Sequence, residues 1–197
     1  KDMILVGCGS AGKETLAMLL EQSQTENLFF YDENKNSENL IFEKFKVIKK
    51  TSKLLDNLKI DNKFCVCIGN PRRRKKMYNK LIELGGSPNN VIWDKNLSIS
   101  ELSQNATIIQ PGVHISYEVI IGKSCLIHNN TSIGHKTIIG DFVNIGPLCS
   151  LIGPCTIGNE TYISAGSIIL PNVTIGNNVY VKAGSIVNRD LKDFETF

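Results

Sequence analysis

The 197-residue sequence predicts two units in series: a small α/β domain, then a parallel β-solenoid built from six-residue repeats. Three observations carry that prediction. From Ile109 to Val187 an aliphatic residue returns at every sixth position, fourteen times without exception. Near the start, the apolar run Met3–Val6 leads directly into GCGSAGKE at 7–14 and then into the helix-like TLAMLLEQ. Finally, the glycines change habit after Trp93, from clusters at 7, 9, 12, 69 and 85–86 to a regular beat. The junction therefore falls near 94–106, dividing the chain into units of 1–97 and 98–197.

In the first unit, a strand at 3–6 is followed by Gly7, Gly9 and Gly12 in GxGxxG spacing and then by a helix. The first glycine permits a tight turn, the second a close backbone approach, and the third close packing of helix on strand. A phosphate can then sit on the amides of the helix N-terminus. The run Asn27–Asp32 reads as a second strand ending in an acid, spaced to take a ribose hydroxyl. Phe64–Ile68 reads as another strand, Arg72–Leu84 as a helix, and Asn90–Trp93 as a last short strand. About 95 residues make only half a Rossmann fold, which suits a mononucleotide or nucleotide sugar better than a redox dinucleotide. The candidate nucleotide-sugar contacts are Gly7, Gly9, Ser10, Gly12, Lys13, Asp32, Asn70 and Arg72.

In the second unit, neither a period of 3.6 nor one of 2 explains the pattern; a short strand and a tight turn every six residues does. Three repeats close one triangular coil of about 18 residues, with the aliphatic residues stacked inside. Two positions before each aliphatic residue the side chain is small or β-branched, from Thr107 to Ser185. Glycine follows the aliphatic position at 122, 134, 140, 146, 158 and 176, where it is expected to relieve turn strain.

Composition excludes several classes. The chain is 42% hydrophobic and 7% aromatic with a net charge of +3, a globular balance with little for base stacking, so no nucleic-acid partner is expected. No stretch approaches the roughly 20 apolar residues of a membrane span, and no export signal is read, so a cytoplasmic protein with six reduced cysteines is expected. Three isolated histidines, with no CxxC or HxxH spacing, predict no metal site.

A half-Rossmann module followed by hexapeptide repeats resembles the bacterial nucleotide-sugar acetyltransferases, the group that includes the bacillosamine, perosamine and sialic-acid O-acetylation enzymes. The resemblance spans about 3–190 and is carried by GCGSAGKE, FFYDE at 29–33, CIGNPRRRKK at 67–76, HKTIIGDFVNIGP at 135–147 and the stretch 163–191. It implies a left-handed β-helix, a homotrimer with active sites between subunits, and acetyl-CoA as acyl donor. It also implies that His135 is the general base, a role suited to a neutral imidazole, with Asn144 in the position of a second active-site histidine. For acetyl-CoA it points to Gly146, Ala165, Gly166, Ala183 and Gly184 as close-approach positions, with Lys136 and Lys182 meeting phosphates. His114 and His128 are expected to be incidental.

The sequence departs from the family where an acid normally follows the base: Lys136 stands there and cannot accept the ring N–H. Asp141, a residue of the neighbouring subunit and a backbone carbonyl are the candidates to orient the ring. The implied activity is N-acetylation of a nucleotide-linked amino sugar. Sugar O-acetylation of the sialic-acid type, and a non-catalytic trimeric nucleotide-sugar-binding protein, are the alternatives.

Overall fold

The computed structural model describes residues 3–23, 27–94 and 105–197. The first unit is a parallel α/β sandwich: β1 (Met3–Val6), α1 (Ser10–Glu21), β2 (Leu28–Tyr31), β3 (Leu40–Ile41), β4 (Phe45–Ile48), α2 (Thr51–Leu58), β5 (Lys63–Val66), α3 (Pro71–Glu83) and β6 (Ser87–Pro88). The sheet order is β3-β4-β2-β1-β5-β6, parallel except for the β3–β4 pair. The central strand β1 is buried along its whole length, as the uninterrupted MILV run requires for a strand covered on both faces.

Fourteen two-residue strands, from Ile108–Ile109 to Ile186–Val187, wind into the second unit. Each pairs in parallel with the strand 18 residues away, as in Ile120 with Ile138 and Ser132 with Ser150. Three flat faces result. The first carries Ile108–Ile109, Leu126–Ile127, Asn144–Ile145, Tyr162–Ile163 and Tyr180–Val181. The second begins at His114–Ile115 and the third at Ile120–Ile121. All fourteen aliphatic residues of the six-residue beat point inward and are at most 8% exposed. Strands of only two residues would be marginal alone; stacking on neighbours completes their hydrogen bonds and their core.

The corners explain the restricted position two before each aliphatic residue. A hydroxyl or thiol there reaches the carbonyl fifteen residues on: Thr131 donates to Gly146 O at 2.9 Å, Thr161 to Gly176 O at 2.8 Å and Ser167 to Lys182 O at 3.0 Å. The cysteines Cys125 and Cys149 do the same towards Gly140 and Ser164. The six cysteines are free and buried.

The glycines of the beat do not relieve turn strain as expected. The left-handed backbone at the corners falls on other residues, among them Glu118, Asn130, Lys136, Phe142, Leu148 and Glu160, with glycine taking it at 112, 166 and 184. The glycine after the aliphatic position instead lies against the next coil. A Cβ on Gly146 would sit 2.7 Å from Ala165 N, and one on Gly122 would sit 2.5 Å from the Gly140 carbonyl carbon. Glycine is required there for stacking distance, not for φ.

The last short strand of the first unit, Val91–Ile92 (β7), joins the solenoid. It pairs with Ile108–Ile109 as the outermost rung of the first face, outside the α/β sheet. The expected junction at 97/98 lies outside the described residues.

The two units are joined by Arg74. It is fully buried, and its guanidinium donates to five carbonyls: Ile68 and Gly69 at the end of β5, and Ser124, Phe142 and Val143 at one corner of the solenoid, at 2.6–3.0 Å. Burial pulls its pKa down to about 10, so it remains charged at neutral pH. Around it, Tyr78 stacks edge-on with Phe142, the Arg72 Nε donates to Asn178 Oδ1 at 3.2 Å, and Lys75 pairs with Glu160. Replacing Arg74 by Met would strand several buried carbonyls, each costly to leave unpaired. Arg74→Met is expected to lose at least about 3 kcal/mol in urea unfolding, well beyond an exposed change such as Arg73→Met.

Candidate active site

A cleft of about 680 Å³ opens between the α/β domain and the first face of the solenoid. Its α/β wall is the turn after β1, the turn after β2 and one stripe of α3. Gly7 has φ +98° and donates to Tyr31 O at 2.8 Å, which a residue bearing Cβ could not do there without strain. Gly12 packs directly over the Gly7 carbonyl, where a Cβ would clash. The first turn of α1 carries no acidic residue and Gly9 offers no side-chain cap, so its amides face the cleft as a site for an anion.

Asp32 closes this end. Its Oδ2 accepts from the Cys8 backbone N–H and thiol, both at 3.1 Å, and its Oδ1 accepts from Asn34 N at 2.9 Å. Burial pushes its carboxyl up, but those donors and Lys49 outweigh it and hold the group below the ordinary carboxylate range. The same contact, after burial, raises the Cys8 thiol to about 11 and keeps it protonated. From α3, Arg73, Lys76, Met77 and Lys80 line the cleft at helical spacing. Lys80 pairs with Glu33, whose carboxyl it lowers.

The solenoid wall of the cleft is His128, Asn144 and Tyr162. Asn144 is completely buried and donates to Gly69 O at 2.7 Å. Burial lowers the pKa of His128, as does Arg74, against the opposing influence of Glu14 and Asn144. Glu14 in turn accepts from Gln110 at 3.0 Å.

The first corner of the solenoid continues from this wall. Ala165, Gly166, Lys182, Ala183 and Gly184 stack there one coil apart and are exposed. Nothing lies within 4 Å of the Cβ positions of Gly166 and Gly184, so an extended chain can approach the backbone along this ridge. Gly146, expected on it, is buried beneath Ala165 and serves packing.

His135 lies elsewhere. It sits at the corner between the second and third faces, the edge opposite the first face, and stacks on Tyr117 at 5.3 Å and 12°. It therefore does not meet Asn144 or the cleft of its own chain. Lys136 shares that edge, with a left-handed backbone and an ion pair to Glu118 at 3.8 Å, away from the small-residue ridge. Asp141 does not orient His135, because it stands at the third corner, bound by Lys123 N at 2.9 Å.

Of the expected nucleotide contacts, Gly7, Gly9, Ser10 and Asp32 line the cleft. Gly12 supports the turn from behind, Lys13 pairs with Glu38 on the surface, Asn70 caps α3 by accepting from Arg73 N, and Arg72 points to Asn178. Sequence reasoning missed Arg73, Lys76, Lys80, His128 and Tyr162. The stripe 73, 76, 77, 80 was the available signal; His128 carried none. Among the described residues there is no cluster of His, Cys, Asp and Glu suited to a metal, and no helix long and apolar enough to cross a membrane.

A nucleotide-sized cleft on one wall of a hexapeptide coil, opening onto a ridge of small residues, defines a hexapeptide-repeat acyltransferase with its own nucleotide domain. Residues 2–81 match the PglD N-terminal domain, and 136–170 and 154–189 match the bacterial transferase hexapeptide (six repeats). The chain thus combines a PglD-type N-terminal domain with hexapeptide repeats, a pairing that matches the perosamine and PglB-type acetyltransferases. It is 27% identical over 176 residues to a GDP-perosamine N-acetyltransferase of Escherichia coli O157:H7, covering 84% of this chain and 76% of that protein. A histidine-to-asparagine mutant of perosamine N-acetyltransferase from Caulobacter crescentus, solved with CoA and GDP-perosamine, superposes with a TM-score of 0.88 at 25% identity, over 98% of this chain and 91% of that one. The acetyltransferase domain of PglB from Neisseria gonorrhoeae FA1090 shares the fold, with a TM-score of 0.71 at 21% identity over 99% and 94% of the chains.

The depressed Asp32 pKa has a definite sign. The unfolded chain binds the proton more readily, so ionised Asp32 stabilises the fold above its ordinary value near 4, and the contribution disappears as pH falls through the lower folded value. Asp32→Asn is expected to be less stable than the parent in urea at pH 7, with the gap closing as pH falls below about 4.

Proposed function

We propose that this chain transfers the acetyl group of acetyl-CoA to the amino group of a nucleotide-linked amino sugar. The observation that carries the reading is the junction of cleft and ridge. The glycine turn, the α1 amides and the α3 cations suit a nucleoside diphosphate, and His128 on the cleft wall shares the first corner with the small-residue ridge. The two substrates are thus directed to one meeting point on the first face. The likeness to perosamine N-acetyltransferases, over nearly the whole chain, favours an amine acceptor over a hydroxyl.

Acetyl-CoA supplies an activated thioester carbonyl. The attacking amine must shed a proton, and His135 is the base that takes it. Because His135 stands on the edge opposite the cleft, it serves the cleft of a neighbouring chain, so the working unit is an oligomer. A homotrimer with its solenoids side by side fits the exposed Ile120 and Ile138 of the third face and Tyr117 at the corner, apolar residues on flat sides that a second copy would cover. Stacking on Tyr117 holds the imidazole plane in place of the missing acid after His135.

The assay is thiol release from acetyl-CoA with a panel of UDP-, GDP- and dTDP-amino sugars. Turnover on at least one is expected, and none would favour a non-catalytic binding protein. His135→Ala is expected to lower kcat about 10²–10⁴-fold while leaving nucleotide binding intact. Mixing His135→Ala with a cleft-blocked variant such as Ser10→Trp, both inactive alone, is expected to restore activity in mixed oligomers. Failure to restore it, with mixed oligomers demonstrated, would place both groups in one chain.

A further inference from the structure

His128 has no part in the scheme above, yet it is the one histidine of the described residues that lines the cleft. It sits on the first corner, at the foot of the ridge that rises through Ala165 and Ala183, and so at the solenoid end of the cleft. The glycine turn and Asp32 belong to the facing α/β wall. A nucleotide seated on the turn must extend its sugar towards the solenoid, because the thioester can only arrive along the ridge. His128, on the solenoid wall, is therefore placed to meet the sugar.

Its neighbour tells which way the imidazole is wired. The Asn144 amide nitrogen is committed to Gly69 O at 2.7 Å, which fixes the orientation of the side chain. Its Oδ1 is buried with no hydrogen-bond partner, while His128 lies close enough for Asn144 to act on its protonation. An imidazole N–H turned to that oxygen satisfies it, and in the neutral ring the second nitrogen is then an acceptor only. The ring is held towards its neutral form, because burial, the largest influence, together with Arg74 outweighs the opposing pull of Glu14 and Asn144.

We infer that His128 is a specificity residue for the acceptor sugar, its outward ring nitrogen accepting a hydrogen bond from a hydroxyl or amine hydrogen of the sugar while Asn144 Oδ1 holds the other nitrogen. This rests on the nucleotide-sugar reading of the cleft and adds the group that reads the sugar. A site built to pair a substrate donor rejects analogues that lack it, because its own acceptor is otherwise left buried and unpaired.

Calorimetric titration of the full-length protein tests it, using UDP, GDP and dTDP and the amino-sugar conjugate of each. The conjugate bound best by the parent is compared with its parent diphosphate on the parent protein, His128→Ala and His128→Asn. His128→Ala is expected to weaken the conjugate about tenfold while changing the diphosphate less than twofold, with the KM for acetyl-CoA unchanged. His128→Asn, which keeps an acceptor oxygen, is expected to recover part of the loss. Equal weakening of diphosphate and conjugate would make His128 a packing residue and overturn the assignment, as would an unchanged conjugate affinity. A parent protein that binds diphosphates but gains nothing from any sugar would overturn it as well. A parent protein that binds no nucleotide at all would remove the reading on which it rests.

Discussion

The arrangement of this protein depends on one buried guanidinium. Arg74 reaches from α3 between the two units and supplies donors to carbonyls of both, two from the end of β5 and three from the solenoid corner. At the corner the Ser124 and Phe142 carbonyls turn towards the guanidinium, and Val143 O, which also accepts from Leu126 N in the ladder at 2.9 Å, is shared with it. A planar fork with five donors can serve several of them at once, which a lysine could not. Burying the charge is tolerable only because every direction of the fork meets an oxygen. Once Arg74 is seated, the rest of α3 has no freedom. Arg72 and Lys75 fall on the solenoid, and Arg73, Lys76 and Lys80 fall on the cleft.

The anchor also decides which face of the solenoid is covered. On the first face the outward residues Ile108, Leu126 and Asn144 lie beneath the α/β domain, Tyr162 is half-buried at its edge, and Tyr180 is open. In a triangular coil, covering one face leaves the opposite edge free, and that edge carries His135. The separation of base and cleft within one chain is thus a result of packing. It turns self-association from an incidental property into a condition of the proposed chemistry. The exposed isoleucines of the third face supply a reason for copies to associate.

What could be read beforehand follows from what repeats. Each inward aliphatic residue has equivalent partners one coil above and below, so a single residue type recurs and the six-residue beat is visible in the letters. The glycine turn was legible because strand, turn and helix are adjacent in the chain. The α3 run was not, because Arg72, Arg73 and Arg74 are identical letters that a helix sends in three directions, and only the position of the solenoid tells which is buried. His128 was invisible for the opposite reason: it points away from the repeat, and its importance comes from residues at 14, 69 and 144 that share no local pattern with it. The glycines of the beat were located correctly but for the wrong cause, since a close approach by the next coil and a left-handed turn leave the same letter in the sequence.

The most direct test of the account is a crystal structure of the protein with CoA and a nucleotide-linked amino sugar. The diphosphate is expected on the α1 amides beside Arg73 and Lys76, CoA along Ala165–Gly166 and Ala183–Gly184, and the sugar amine within hydrogen-bonding reach of His135 from a neighbouring chain. A nucleotide bound outside the cleft, or a sugar amine beyond the reach of every His135 in the assembly, would contradict it.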